Sequence, residues 1–266
     1  MKENKYDDPG FFEAYGNMIR SLKGLEGAGE WPALKPLLPN FKGKRVLDLG
    51  CGYGWHCRYA AESGAVSVVG IDLSTKMLEK AQSLTTDHRI HYQNTAIEDL
   101  ECSPESFDVV LSSLAIHYIP DFAGLCRNVH KVLSYHGVFV FSVEHPVFTA
   151  YGSQDWTCDS QGNKLHWPVD HYFKEGKRKA MFLGQQVIKY HRTLDSYVNG
   201  LLGNGFTMTG FAEPGPEEQK LAQDPDWKEE LRRPMMLIIS STKMKRKKPN
   251  RKDIGNQISQ GSYSLI

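Results

Sequence analysis

From residue 45 to residue 143 the chain alternates short apolar runs with segments whose apolar residues recur at helical spacing. The apolar runs predict strands over 45–49, 67–71, 89–93, 107–112 and 137–143. Between them the pattern predicts a helix over about 54–63 and another from an N-cap at Ser74 through Leu84. A third carries Phe122, Leu125, Cys126, Val129, Val132 and Leu133 behind an Asp121 cap. The 137–143 run is nearly continuous in apolar residues, as in strands covered on both faces. Upstream, Phe11, Phe12, Tyr15, Met18, Ile19 and Leu22 predict one amphipathic helix over 11–22. A short helix or a pair of turns follows over 31–38, punctuated by Pro32, Pro36 and Pro39. Downstream, residues 179–183 and 186–191 flank Gly184 as a hairpin. A helix over 194–204 and strands over 207–212 and 235–240 complete the pattern. This layout predicts an α/β fold: a doubly wound, mostly parallel seven-stranded sheet.

The rhythm breaks between residues 144 and 192, where aromatic residues and histidines crowd together. We expect an insertion there, after the fifth strand. The expected organisation is a helical cap over 1–43, a main domain over 44–242 holding that insertion, and a basic, unstructured tail over 243–266. Residues 243–253 hold seven Lys or Arg against Asp253, a local charge of +6; the whole chain is +1, so the remainder is −5. Such a tail is open to two readings, a solvated extension or a contact for nucleic acid. The five cysteines form no C-x-x-C pair, which predicts reduced thiols and no metal site. No apolar run is long enough to span a bilayer and the N-terminus lacks an apolar signal core, so a soluble, cytoplasmic protein is expected.

The chemistry concentrates in Val46-Leu-Asp-Leu-Gly-Cys-Gly-Tyr-Gly54 and in Gly70-Ile-Asp72. Glycines at alternate positions after a strand let backbone amides approach a ligand. A carboxylate after the next strand suits a ribose diol. A dinucleotide site would carry G-x-G-x-x-G. Here Trp55 stands where the third glycine would fall, and Asp48 precedes the loop. An acidic residue there suits a cofactor bearing an ammonium and a sulfonium, although Asp48 can equally brace the loop.

These two segments, with Ser74, Met77 and Ala81 after Asp72, resemble the class I S-adenosylmethionine-dependent methyltransferase family, more narrowly its small-molecule branch. The resemblance covers residues 44–143. It implies a Rossmann-like fold, S-adenosyl-L-methionine as cofactor and S-adenosyl-L-homocysteine as product. It also implies that Gly50, Cys51 and Gly52 turn beside the methionine moiety, with Asp48 a less direct contact. Asp72 would bond the ribose, and Leu73 and Met77 would border the adenine. Ala96, Ile97 and Glu98 would meet the adenine amino group, and Ser112, Ser113 and Leu114 would pass under the methionine portion.

Methyl transfer from a sulfonium gains about 7–11 kcal/mol from positioning alone, so a dedicated base is optional. The candidate bases are His117, His145 and His191. Tyr15, His117, His145, Tyr190 and Arg192 are the candidate acceptor contacts, Arg192 for a carboxylate or phosphate. The fourth strand ends in Ser112-Ser113-Leu114-Ala115 rather than in a proline-aromatic motif, which argues against adenine or amide methylation. No Pro-Cys dipeptide exists for cytosine C5 chemistry. The expected partner is a small-molecule acceptor, with the protein a monomer or homodimer. An RNA or protein methyltransferase docking through the tail, and a non-enzymatic cofactor-binding protein, remain as alternatives.

Overall fold

The computed structural model describes residues 4–216, 218–223 and 225–244. Among these residues seven strands form one sheet in the order β10-β11-β5-β4-β1-β2-β3. The strands are β1 (Arg45–Leu49), β2 (Ser67–Asp72), β3 (Ile90–Asn94), β4 (Phe107–Ser113), β5 (Leu133–Glu144), β10 (Phe206–Ala212) and β11 (Met236–Lys243). The pairings from β3 across to β5 are parallel, and β11 runs antiparallel to both β5 and β10. Strand order reverses between β1 and β4. In open α/β sheets that switch point opens a crevice at the carboxyl ends, where ligands bind.

Helices cover both faces. On one, α6 (Phe122–Val132) and α8 (Leu194–Leu202) bury Leu125, Val129 and Tyr197 against Phe139, Phe141 and Leu237. On the other, α3 (Trp31–Leu34) and α4 (Trp55–Glu62) bury Trp31, Cys57 and Ala60 against Val46, Val68 and Val140. Side-chain oxygens of Ser74 and Asp121 cap α5 (Thr75–Ser83) and α6 through the amides of Met77 and Gly124.

Three local expectations change. The amphipathic run over 11–22 is two helices, α1 (Pro9–Gly16) and α2 (Ile19–Lys23), broken at Asn17 and Met18; Ile19 and Leu22 are exposed. The break follows Gly16, whose low helical propensity ends α1. Leu133 belongs to β5 rather than to α6, because it pairs with Phe107 across the sheet. Lys243 is the last residue of β11 and not part of a tail: its ammonium donates to the Leu133 carbonyl at 2.7 Å. The expected unstructured tail otherwise falls on residues 245–266, which lie outside the described residues.

Residues 144–192 leave the sheet at the carboxyl end of β5. They hold α7 (Pro146–Thr149), β6 (Thr157–Cys158), β7 (Lys164–His166) and the hairpin β8 (Gly176–Phe182) and β9 (Gln185–His191). A small third core joins that hairpin to the N-terminal segment: Phe11 packs on Ala180, Val187 and Phe182. Asp8 reinforces the contact, accepting from Gln185 at 2.8 Å. The N-terminal segment and the insertion thus meet each other. Among the described residues, no helix is long and apolar enough to cross a membrane.

Candidate active site

The loop after β1 begins with Gly50 at a φ of +73°; a Cβ there would lie 2.4 Å from the Ala115 Cβ. Only glycine permits that closeness. Gly52 also has a positive φ, +52°, but a Cβ there would meet nothing within 4 Å. The loop therefore packs against the protein at its first glycine and faces open space at its second. The Gly52 amide donates to the Asp72 carboxylate at 2.9 Å, and the Ser74 amide donates to the other oxygen at 2.9 Å. Burial dominates the Asp72 carboxyl and raises its pKa against the lowering by those two amides. A carboxylate held this way has a fixed orientation beside a glycine loop, which fits a ribose diol.

Asp48 lies elsewhere. It is buried beneath the loop, where the Cys57 thiol donates to it at 3.3 Å. Burial pushes its pKa up to about 7. Cys51 sits beside it, and burial likewise raises its thiol to about 11. This is the loop-bracing arrangement rather than a carboxylate facing a ligand.

Beyond β2, the Leu73 carbonyl accepts from Asn94 at 2.9 Å, while Met77, Ala96 and Ile97 are buried, Ile97 next to Gly50. Ile97 and Glu98 lie on a short turn of 3-10 helix, Ile97–Asp99. Beyond β4, the Ser112 hydroxyl donates to the Leu49 carbonyl at 2.8 Å, tying β4 to β1 at the switch point. Leu114 takes a left-handed φ of +51°, and its amide donates to the carbonyl and hydroxyl oxygens of Ser142. Such strain in a non-glycine residue costs about 1–3 kcal/mol and clusters where function needs a set geometry.

Ser113 leads to residues that periodicity does not flag. Its hydroxyl donates to Glu30 at 2.9 Å, and Glu30 is fully buried in an ion pair with Arg20 at 2.6 Å. Burial alone would raise the Glu30 pKa, but the Arg20 guanidinium lowers it below the usual range. Tyr15 packs edge-on against Tyr6 and Tyr53, within electrostatic reach of Arg20, Asp72 and Glu30. The Tyr6 and Tyr118 hydroxyls are 3.3 Å apart.

The three candidate bases separate cleanly. The His145 Nδ1 accepts from the Val147 amide at 3.0 Å, so its proton sits on Nε2, which donates to Glu213 at 2.7 Å. His191 is similarly committed: Nε2 donates to the Tyr172 carbonyl at 2.8 Å and Nδ1 accepts from Thr149 at 2.7 Å. The His191 ring joins two parts of the insertion, and the His145 ring ties the insertion to Glu213, just after the end of β10. His117, on the turn Ile116–Tyr118 after β4, makes one hydrogen bond among the described residues, accepting from the Glu144 amide at 3.5 Å through Nδ1. Burial lowers its pKa to about 4.

Arg192 is buried in structural contacts, donating to the Ile119 and Tyr190 carbonyls and lying over the Phe122 and Tyr197 rings. No exposed fork remains for an acceptor carboxylate. Tyr190 points away from the hairpin face that buries Val187, Lys189 and His191. That face brings in Lys189 instead. Its ammonium pairs with Glu144 at 2.6 Å and with Gln154 at 3.0 Å, while Gln154 donates to the other Glu144 oxygen at 2.7 Å. A one-residue register offset separates Tyr190 from Lys189, and only pairing resolves it. Among the described residues, no cluster of metal-ligating side chains occurs.

A methyltransferase domain model matches residues 47–141. Over 83% of this chain and 99% of the other, the structure superposes with a TM-score of 0.79 and 55% identity on a Listeria monocytogenes chain assigned to the S-adenosylmethionine-dependent methyltransferases. An S-adenosylmethionine-dependent methyltransferase from Mesorhizobium loti is 44% identical, covers 83% of this chain and 100% of its own, and superposes with a TM-score of 0.77. This chain belongs to the class I S-adenosylmethionine-dependent methyltransferase family, and its cofactor is S-adenosylmethionine. An uncharacterised Haemophilus influenzae protein is 36% identical over 92% of this chain and 99% of its own. The ubiquinone biosynthesis O-methyltransferase of Haemophilus ducreyi is 36% identical over 41% of this chain and 49% of its own length. That narrower match covers less than half of either chain.

Proposed function

We propose that this enzyme methylates a small-molecule acceptor enclosed between the carboxyl ends of β4 and β5, the N-terminal segment and the insertion hairpin. One observation carries the reading. Phe11 packs on Ala180 and Val187 and Tyr6 lies against Tyr118, and in this reading these contacts between the N-terminal segment, the insertion hairpin and the turn after β4 roof the crevice. A roofed site suits a small molecule, whereas an extended polymer needs an open groove. The O-methyltransferase relative acts on a small molecule by its name, which agrees with this reading.

The cofactor supplies a methyl group on a sulfonium, an electrophile with a good leaving group. In this reading Asp72 takes the ribose hydroxyls, and the Gly50–Cys51–Gly52 backbone lies along the amino-acid portion. Leu73, Met77, Ala96, Ile97 and Glu98 border the base. Ser113 lies toward the methionine end, its hydroxyl held in place by the buried Glu30–Arg20 pair behind it. Tyr6, Tyr15, Tyr118 and His117 exclude water around the transfer path, and holding the two reactants in line contributes most of the rate.

The test combines S-adenosylhomocysteine thermal shift with transfer of radiolabelled methyl groups to a cell extract separated by size. Label in the low-molecular-mass fraction is expected. Label confined to the protein or RNA fraction would refute the small-molecule acceptor.

A further inference from the structure

The β8–β9 hairpin turns one face to the protein and the other to solvent. The inner face sets Ala180 and Phe182 of β8 and Val187 of β9 against Phe11. Side chains alternate along a strand, so the outer face carries Lys177, Lys179 and Met181, in register with Tyr190, Ile188 and Gln186. Both lysines are exposed, Met181 is 56% exposed, and Ile188 and Tyr190 are half-buried. None of the six is acidic. Phe173, four residues before Lys177, is 90% exposed, and Lys174 beside it is exposed too. That turn is built rather than loose. The Arg178 guanidinium donates to the His171 carbonyl at 3.3 Å and to the Lys174 carbonyl at 2.6 Å, while the Tyr172 hydroxyl accepts from the Leu194 amide at 3.0 Å. These bonds fix the backbone on both sides of Phe173 and hold its ring in solvent. The carboxylates nearest in sequence have other partners: Glu175 accepts from Thr193 and Ser196, and Asp170 pairs with His171 at 3.7 Å.

The geometry points to this outer face as a docking surface for an anionic lipid bilayer. Phe173 and Met181 enter the headgroup region, and Lys174, Lys177 and Lys179 lie over the lipid phosphates. Charge and shape select the occupant. A second copy of the chain would set the same lysines against each other, and like charges in contact are penalised. A nucleic acid would match the lysines but gains nothing from Met181 and Ile188, because aliphatic side chains do not stack on bases as aromatic ones do. A protein partner needs a closely packed, shape-matched core, whereas Phe173 projects singly from a turn. A bilayer interface takes up single apolar side chains and adds electrostatic attraction for each cation beside them. The inference does not depend on the acceptor: it concerns the far side of the strands that meet the N-terminal segment.

The experiment is co-sedimentation of the full-length protein with vesicles of equal parts phosphatidylglycerol and phosphatidylcholine, and with vesicles of phosphatidylcholine alone. Binding to the first, and at least about tenfold weaker binding to the second, is expected; no binding to the first overturns the proposal. The basic sequence beyond residue 244 also attracts anionic lipid, so every variant retains it. Phe173→Ser with Met181→Ser keeps all charges and should bind the anionic vesicles at least about tenfold more weakly. Unchanged binding would assign the attraction to the basic sequence and overturn the docking face. A thermal shift by S-adenosylhomocysteine equal to that of the wild type shows that the double variant is folded. Phe173→Trp in the otherwise native chain supplies a second reading that does not depend on the double variant. Its emission should move to the blue, beyond any change in the wild type, when anionic vesicles are added. Emission that stays in place overturns the proposal.

Discussion

The Asp7 carboxylate accepts a 2.6 Å hydrogen bond from the Ser74 hydroxyl, joining residues 67 apart in sequence. The same Asp7 oxygen accepts from the Lys76 amide at 3.1 Å, placing a carboxylate at the N-terminus of α5. Ser74 in turn donates its amide to Asp72. The N-terminal segment is therefore fastened to the residue next to the ribose-binding candidate. Because Phe11 ties the same segment to the insertion hairpin, release at Asp7 loosens the roof on both sides. Asp7→Ala should weaken S-adenosylhomocysteine binding by about tenfold, the worth of one or two hydrogen bonds to a charged group. The change should lie mainly in a faster dissociation rate, read by stopped-flow fluorescence. An unchanged rate would refute the link between Asp7 and cofactor retention.

Asp72→Asn tests the loop itself. An amide can accept only one of the two backbone N–H groups that now point at the carboxylate, and its NH₂ faces the other. The expected outcome is a loss of about 1–3 kcal/mol in stability together with at least about tenfold weaker cofactor binding. Calorimetric titration and thermal unfolding measure the two separately.

Asp48 predicts a pH effect of defined sign. Its folded pKa is pushed up to about 7 by burial, against about 3.9 in an unfolded chain. Between those values the native state binds more protons than the unfolded one, so stability falls as pH rises from about 4 to about 7 and then levels. Three units at 1.36 kcal/mol each set an upper scale of about 4 kcal/mol. Asp48→Asn should match the wild type near pH 4, exceed it above pH 7, and flatten the profile between. Thermal melts of the cofactor-free protein across that range decide it; parallel profiles would refute the buried ionisation.

In the Glu144–Lys189 pair Lys189 is buried and Glu144 mostly so, with side-chain exposures of 3% and 15%. Removing one partner strands the other charge and should cost about 3–5 kcal/mol, whereas replacing both costs much less. Lys189→Met and Glu144→Gln alone are therefore expected to be far more destabilising than the double variant, by urea denaturation. Additive losses would show that the two charges do not depend on each other.

Much of the frame was legible along the chain. Runs such as 107–112 and the Phe122, Leu125, Cys126 and Val129 spacing arise from local covalent periodicity, which burial of one face then reinforces. The Gly50 to Gly54 loop and Asp72 were readable because backbone approach to a ligand restricts side-chain choice at fixed offsets. The break at Asn17 and Met18 was less legible, since the apolar spacing continues through it. Arg20 and Glu30 carried no signal at all: an ion pair ten residues apart depends on where α2 and α3 come to rest.

The sequence by itself determined the alternating sheet and helices, the cofactor loop and the class of donor, all set by short-range pattern and by steric demands on single residues. Only the tertiary structure decided which partners the candidate side chains meet. It committed both ring nitrogens of His145 and of His191 to hydrogen bonds, placed Asp48 under the loop with Cys57, and buried Lys189 rather than its neighbour Tyr190. The physical reason is that a hydrogen bond or a buried charge acquires its role from its partner. Those partners, Glu213, Tyr172, Cys57 and Glu144, lie between nine and 68 residues away along the chain.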